Sequence, residues 1–209
     1  MKKPKQMNQI KLLLLGETGV GKTSIMQRFV ENKFEDKSTA SIGIDYSFKT
    51  MKYKKKSYSI QIFDTAGQER FKSLTSGYYH MGEGFLIVFD LSNNDSLNAL
   101  KDWIEDVKEN VEDPKFIILG NKDDLQKSKK LSDDIIKKQL ENYKDIIYIK
   151  TSAKANTNIK ETFEKMIDLL EKDNNVRIKQ GKKSKKDNSI IINENNDKYN
   201  ENEANSQCC

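Results

Sequence analysis

The stretch Gly16-Glu17-Thr18-Gly19-Val20-Gly21-Lys22-Thr23 constrains this chain more than any other. It fits G-x-x-x-x-G-K-[ST], a pattern that cradles phosphate when it joins a strand to a helix. Both flanks qualify. Ile10 and Leu12 to Leu15 read as a short buried strand, and Ile25, Met26, Phe29 and Val30 recur at helical spacing over residues 23–32. The glycines let the backbone curl until several N–H groups point inward. That nest and the helix N-terminus together hold anions. Lys22 adds a point charge for β- and γ-phosphates, and the Thr23 hydroxyl is a ligand for Mg²⁺.

Length and composition set the limits. The 209 residues suit one domain and a tail, and 35% apolar residues suffice for one core. A net charge of +5 is too small to argue for a nucleic-acid partner without a patch, and none is expected. No run of 18 apolar residues reads as a transmembrane helix. The basic start followed by Leu12 to Leu15 mimics a secretory signal only faintly, because Lys11 interrupts a run that is too short. Cys208 and Cys209 are the only cysteines, so no disulfide framework is expected inside the domain, as suits the cytosol.

After the first helix, residues 33–42 read as an exposed loop. Residues 44–53 and 57–64 read as strands joined by a charged turn, Lys54-Lys55-Lys56, giving an antiparallel hairpin. Residues 64–79 are polar and irregular. Phe85-Leu86-Ile87-Val88-Phe89 and Phe116-Ile117-Ile118-Leu119 are continuous apolar runs, expected for parallel strands covered on both faces. One helix is expected over 96–111, with Leu97, Leu100, Ile104 and Val107 on its stripe. Trp103 and Ile104 are adjacent, so only one of them is expected mid-stripe. Another helix is expected over 132–143 with Ser132 as N-cap, a last strand over 146–149, and a last helix over 158–171. The fold class is α/β: a six-stranded, mostly parallel sheet with one antiparallel strand and helices on both faces. Ligands of such sheets sit at the carboxyl ends of strands, where every polar motif of this chain falls.

Three further loops follow strands. In Asp64-Thr65-Ala66-Gly67-Gln68-Glu69, the acid at a strand end suits Mg²⁺, Gly67 lets a backbone N–H approach the γ-phosphate, and Gln68 orients an attacking water. In Asn121-Lys122-Asp123, the Asp123 carboxylate is expected to accept from guanine N1–H and its amine together. Adenine lacks that donor pair and would leave a buried carboxylate unpaired. Lys122 is expected over the base plane, with Asn121 bracing the loops. In Thr151-Ser152-Ala153-Lys154, the Ala153 N–H is expected at the guanine carbonyl and Lys154 over the ring. Four loops in this order supply phosphate, Mg²⁺, γ-phosphate and guanine contacts.

On these motifs the sequence resembles the Ras superfamily of small GTPases, and within it the Rab family, over roughly residues 8–172. G-E-T-G-V-G-K-T, D-T-A-G-Q-E, N-K-D-D and T-S-A-K carry the general likeness. The Rab flavour lies in Ile42-Gly43-Ile44-Asp45-Tyr46, in Asp64 to Phe71, in Tyr78-Tyr79 and in the two terminal cysteines. The resemblance implies a P-loop NTPase G domain over 8–172, an extension over 1–7 and a flexible hypervariable tail over 173–209. It implies nucleotide contacts from Gly16, Thr18, Gly19, Val20, Gly21, Lys22, Thr23, Ser24, Phe34, Ser41, Gly67, Asn121, Lys122, Asp123, Ser152, Ala153 and Lys154. Mg²⁺ ligands would be Thr23, Ser41 and Asp64, and Gln68 would be the catalytic, water-positioning residue. An effector face would comprise Ile42, Gly43, Ile44, Asp45, Tyr46, Phe63 and Tyr78.

Three departures stand out. Ser41 replaces the usual Thr, Phe63 the usual Trp, and Tyr78-Tyr79-His80-Met81-Gly82 the family's Tyr-Tyr-Arg-Gly-Ala. His80 is given no catalytic role.

In the tail, Arg177, Lys179, Lys182, Lys183, Lys185 and Lys186 form a basic block suited to an anionic membrane, and Ile190-Ile191-Ile192 interrupts an acidic, Asn-rich stretch. Cys208-Cys209 resembles the Rab prenylation signal, whose two lipids anchor stably. The implied function is a monomeric GTP/GDP switch in vesicle trafficking, on the cytoplasmic face of an endomembrane and cycling with the cytosol. Its implied partners are an exchange factor, a GTPase-activating protein, effectors, a GDP dissociation inhibitor and a Rab escort protein. A small kinase would need an acceptor pocket and lid that no segment supplies. A nucleotide-holding scaffold with little hydrolysis is the alternative.

Overall fold

The computed structural model describes residues 7–36, 44–65, 77–141, 143 and 146–184, with the backbone alone at 44 and 174–184. The described residues up to 173 belong to one compact unit and those from 174 to 184 to a second. The first is built on six strands: β1 (Asn8–Leu15), β2 (Ile44–Tyr53), β3 (Lys56–Thr65), β4 (Gly84–Asp90), β5 (Phe116–Asn121) and β6 (Ile147–Lys150). Their order in the sheet is β2-β3-β1-β4-β5-β6, with β2 antiparallel to β3 and every other pairing parallel. The helices are α1 (Lys22–Glu31), α2 (Asn94–Asn98), α3 (Leu100–Asn110), α4 (Asp133–Leu140) and α5 (Ile159–Ser184).

The period-two geometry of a strand divides the leucines of β1 between two cores. Leu12 and Leu14 join one with Ile25 and Phe29 of α1 and Phe163 and Ile167 of α5. Leu13 and Leu15 join the other with Leu97 of α2, Leu100, Ile104 and Val107 of α3 and Ile136 of α4. A sheet buried on both faces in this way needs uninterrupted apolar strands, which β4 and β5 supply. On the first face the Phe29 and Phe163 rings stack with centroids 3.6 Å apart, fixing α1 against α5.

Several elements differ from expectation. The 96–111 segment is two helices, not one. Asn93 Oδ1 accepts from the N–H groups of Asp95 and Ser96, so the first helix starts before Ser96. Ser96 lies inside it, with its hydroxyl on Asn93 O at 2.8 Å. Trp103 and Ile104 are both buried, at 1% and 0% exposure. Both belong to the core of the second face, and the Trp103 indole N–H reaches Glu17 of the phosphate loop. Lys56 belongs to β3, and the hairpin turn is Lys54-Lys55 with φ of 44° and 66°. Two left-handed residues match the twist of a two-residue hairpin, a geometry that Lys-Lys does not advertise. Ser132 caps α4 as expected, but α4 stops at Leu140. The last helix runs to Ser184, past the point near Asp173 where apolar periodicity fades. Among the described residues no helix is long and apolar enough to cross a membrane.

Candidate functional site

The carboxyl ends of β1, β3, β5 and β6 lie at one edge of the sheet, and the loops beyond β1, β5 and β6, with Thr65 at the end of β3 and Phe34 to Asp36 after α1, line a cleft of about 430 Å³. The loop after β1 turns into α1 through Gly16 and Gly21. Gly16 has φ +129°, and a Cβ there would lie 2.1 Å from Val88 O. Gly21, at φ +97°, caps α1, and a Cβ would lie 2.4 Å from Asn121 Nδ2. No other residue fits either position, so the closeness of the loop to β4 and β5 depends on glycine. Thr18, Gly19, Gly21, Lys22, Thr23 and Ser24 line the cleft. Gly16 and Val20 are buried beneath it, Val20 at 1% exposure.

Lys22 bends back over its own loop. Its Nζ donates to Gly16 O at 2.8 Å and Glu17 O at 2.9 Å. Burial lowers its pKa to about 8, against the opposing pull of Asp64 and Glu17. An ammonium held by carbonyls in a partly dry cleft is poised for an anion. Beside it, Thr23 Oγ1 donates to Asp64 Oδ2 at 2.5 Å, and Asp64 is fully buried. A hydroxyl beside a carboxylate is a hard-oxygen donor pair of the kind Mg²⁺ takes along with phosphate oxygens and waters. Among the described residues there is no cluster of three or more acidic, His or Cys side chains, so the protein alone does not build a closed metal cage. Ser41, Gly67 and Gln68 lie outside the described residues.

At the other end, Asn121 ties three loops together. Its Nδ2 donates to Val20 O at 2.8 Å, while its Oδ1 accepts from Ala153 N at 3.3 Å and Thr151 Oγ1 at 3.5 Å. The Ala153 N–H expected at a guanine carbonyl is thus turned to Asn121 here. Lys122, at φ +68°, lines the cleft with its Nζ held by the buried Asp90 at 2.6 Å. Phe34 and Lys154 also line it. Lys154 Nζ lies 5.9 Å from the Phe34 ring centre and pairs with Asp36 at 2.9 Å.

Asp123 needs correction. Its carboxylate and its carbonyl both take Lys130 Nζ, at 2.8 and 3.0 Å, and it is not among the residues lining the cleft. The next residue, Asp124, does line the cleft, and its Oδ1 accepts from Ser152 Oγ at 2.6 Å. Ser152 Oγ accepts in turn from Ala155 N at 2.9 Å, so Ser152 orients the acid rather than lining the cleft. The sequence carried the signal: the acid of an N-K-x-D pattern is its fourth residue, which is Asp124. Glu35, Asp36, Thr65 and Leu125 also line the cleft without having been anticipated.

A second feature lies on the β2–β3 face. Tyr46, Phe63 and Tyr78 come together, with ring centres 5.3 Å apart for Tyr46–Phe63 and 6.5 Å for Phe63–Tyr78. Tyr46 and Tyr78 are exposed while Phe63 is buried beneath them. Asp45 is exposed, Ile44 is described by its backbone pairing with Thr65, and Ile42 and Gly43 lie outside the described residues. Phe48, unanticipated, is 61% exposed. Ile190 to Ile192, Cys208 and Cys209 lie outside the described residues.

The Ras family model matches residues 11–172. The Ras-related protein Rab-8B of Pongo abelii is 40% identical over 154 residues, covering 73% of this chain and 74% of that one. Rab-1C of Dictyostelium discoideum is 39% identical over 165 residues, covering 78% and 81%. Rab-3A of Homo sapiens is 34% identical over 161 residues, covering 77% and 73%. Sheet order, phosphate loop and match together define a Ras-type P-loop protein, and the chain belongs to the Ras family. Within that family it is a small GTPase of the Rab kind.

Proposed function

We propose that the chain is a membrane-recruited GTP/GDP switch of vesicle traffic that hydrolyses GTP slowly and is accelerated in trans. One observation carries the reading. A single cleft of about 430 Å³ joins a phosphate grip at Lys22 to a base-sized end walled by Phe34, Lys122, Asp124 and Lys154. Asp124, not Asp123, is the acid that reads guanine through its paired donors, with Ser152 holding its carboxylate. Thr23, Asp64 and Ser41 are the residues that would hold Mg²⁺, which would neutralise charge on the phosphoryl oxygens. Gln68 orients the water, and the Gly67 N–H meets the γ-phosphate. Arg28, the one arginine whose side chain is among the described residues, is committed to the carbonyls of Ala153, Asn32 and Lys154 and offers no finger in cis. Slow intrinsic turnover, accelerated by an activating protein, belongs to the same proposal.

Effectors read the Tyr46–Phe63–Tyr78 face while the nucleotide orders the loops around Ser41 and Gln68. Lipids on Cys208 and Cys209 hold the chain to the cytoplasmic face of an endomembrane. An escort protein and a GDP dissociation inhibitor cover those lipids in the cytosol, and an exchange factor reloads the site. Docking of Ile190 to Ile192 on these carriers completes the reading, and replacing all three with Ser should impair extraction from membranes.

The base assignment is tested by nucleotide competition. Asp124→Asn should move preference from guanine to xanthine nucleotides, whereas Asp123→Asn should leave guanine preference unchanged. Undiminished guanine affinity in Asp124→Asn would sink the assignment.

A further inference from the structure

Trp103 is the only tryptophan of the chain. It sits in the first turn of α3 at 1% exposure, yet its indole N–H is spent on a polar contact rather than on the core. Its Nε1 donates to Glu17 Oε1 at 2.9 Å, spanning from α3 to the phosphate loop. Glu17 is therefore gripped at both ends. Its carboxylate is held by Trp103, and its carbonyl accepts from Lys22 Nζ at 2.9 Å. The donor is itself immobilised. Leu100, Ile104 and Val107 anchor the inner side of α3 at 0% exposure, and one turn beyond Trp103 the Asp106 carboxylate accepts from the Tyr79 hydroxyl at 2.7 Å. A rigid helix on the second face of the sheet thus reaches the residue whose carbonyl orients the phosphate-binding lysine.

We propose that Trp103 is a positioning residue for the phosphate grip, acting through Glu17. The inference rests on the nucleotide reading of the cleft. Held by the indole, Glu17 keeps its carbonyl in place, and Lys22 keeps its reach across the loop. Without the N–H, the Glu17 side chain is free to move into solvent and the loop loses its tether to α3. Packing alone does not need a tryptophan here, since a phenylalanine fills most of the same space.

The test is the rate of GDP release, measured first on the unaltered chain and then on Trp103→Phe, Glu17→Ala, Glu17→Gln and the Trp103→Phe/Glu17→Ala pair. Loss of one hydrogen bond to a charged group should speed release about tenfold in Trp103→Phe. Glu17→Ala should do the same, and the pair should release no faster than either single change, because both remove one contact. Glu17→Gln should stay near the unaltered rate, since its amide oxygen accepts the same N–H. Release at the unaltered rate in Trp103→Phe, or an equal added acceleration by Trp103→Phe in the Glu17→Ala background, would overturn the proposal in favour of simple packing. Should Trp103→Phe not fold, an unaltered rate in Glu17→Ala is enough to overturn it. If the unaltered chain does not hold GDP, the reading of the cleft fails first and this inference with it. An unaltered chain that binds while the variants match it fails the inference alone.

Discussion

Asn121 shows how one buried amide can hold a site together. At 2% exposure it donates to the carbonyl of Val20 and accepts from Ala153 N–H, so the loops after β1, β5 and β6 share one side chain. Removing it leaves buried groups without their partner, each at a cost of about 1–3 kcal/mol. Asn121→Ala should therefore lower the melting temperature of the GDP-bound chain by roughly 4–12 °C and speed GDP release at least tenfold. Thermal unfolding and release kinetics on the same sample check both. Loss of stability with unchanged release would confine Asn121 to the scaffold. The amide's bracing role was readable from its place after a strand. That its partner is a carbonyl of the phosphate loop was not, because the contact joins positions 101 residues apart. Asp123 is the opposite case. Of two adjacent acids, the N-K-x-D spacing singles out the second, and the structure aims the two apart. Here Lys122 at φ +68° and the Lys130 ammonium settle the aim, sending Asp123 out and Asp124 in.

The hairpin of β2 and β3 is clasped to α5 by four donors on two carboxylates. Tyr53 OH and Lys54 Nζ reach Asp168 at 2.9 and 2.6 Å, and Lys56 Nζ and Tyr58 OH reach Glu171, the former at 2.6 Å. Burial works against the charged form of Asp168, but the bonds from Lys54 and Tyr53 outweigh it and hold its pKa below the ordinary 3.8. The bonds from Lys56 and Tyr58 hold that of Glu171 below 4.5. Carboxyls depressed in the folded chain stabilise it fully above their unfolded pKa values and lose that contribution as acid titrates the folded forms. The loss thus falls below about pH 4.5. The lysines are more than half exposed and solvent screens both pairs, so each contributes little by itself. Asp168→Asn with Glu171→Gln should lower the melting temperature by a few degrees at pH 7. The difference from the unaltered chain should shrink as pH falls through 4. A difference that persists at pH 3 would mean the clasp acts by packing instead. Elements of this kind were unevenly legible. β2 and β4 follow from apolar alternation and runs. The Lys54-Lys55 turn, the break near Ala99 and the extension of α5 to Ser184 depend on backbone geometry that no apolar period reports.

The whole molecule was legible where local pattern and topology agree. Strands buried on both faces are expected to be parallel and crossed by helices, which brings the carboxyl ends of β1, β3, β5 and β6 to one edge whatever follows them. In the sequence, Ser41 precedes β2 and Gln68 follows β3, and in the proposed function the segments that carry them respond to the nucleotide. That arrangement separates two readings of the same cleft. A scaffold that merely holds nucleotide needs the phosphate grip and the base end but has no use for Gln68. A switch needs all three. Gln68→Leu should leave GDP and GTP affinity within about twofold, since every grip residue around Lys22 and Asp124 is intact, and should cut stimulated turnover on the order of a thousandfold. The measurement is phosphate release from GTP-loaded chain, with and without an activating protein that accelerates the unaltered form. If the unaltered chain binds GTP tightly and no activating protein speeds its turnover, the scaffold reading wins. If Gln68→Leu turns over at the stimulated rate, the switch stands and another group orients the water. If both loops work as proposed, Gln68→Leu should accumulate in the GTP form and hold effectors on the Tyr46–Phe63–Tyr78 face longer than the unaltered chain does.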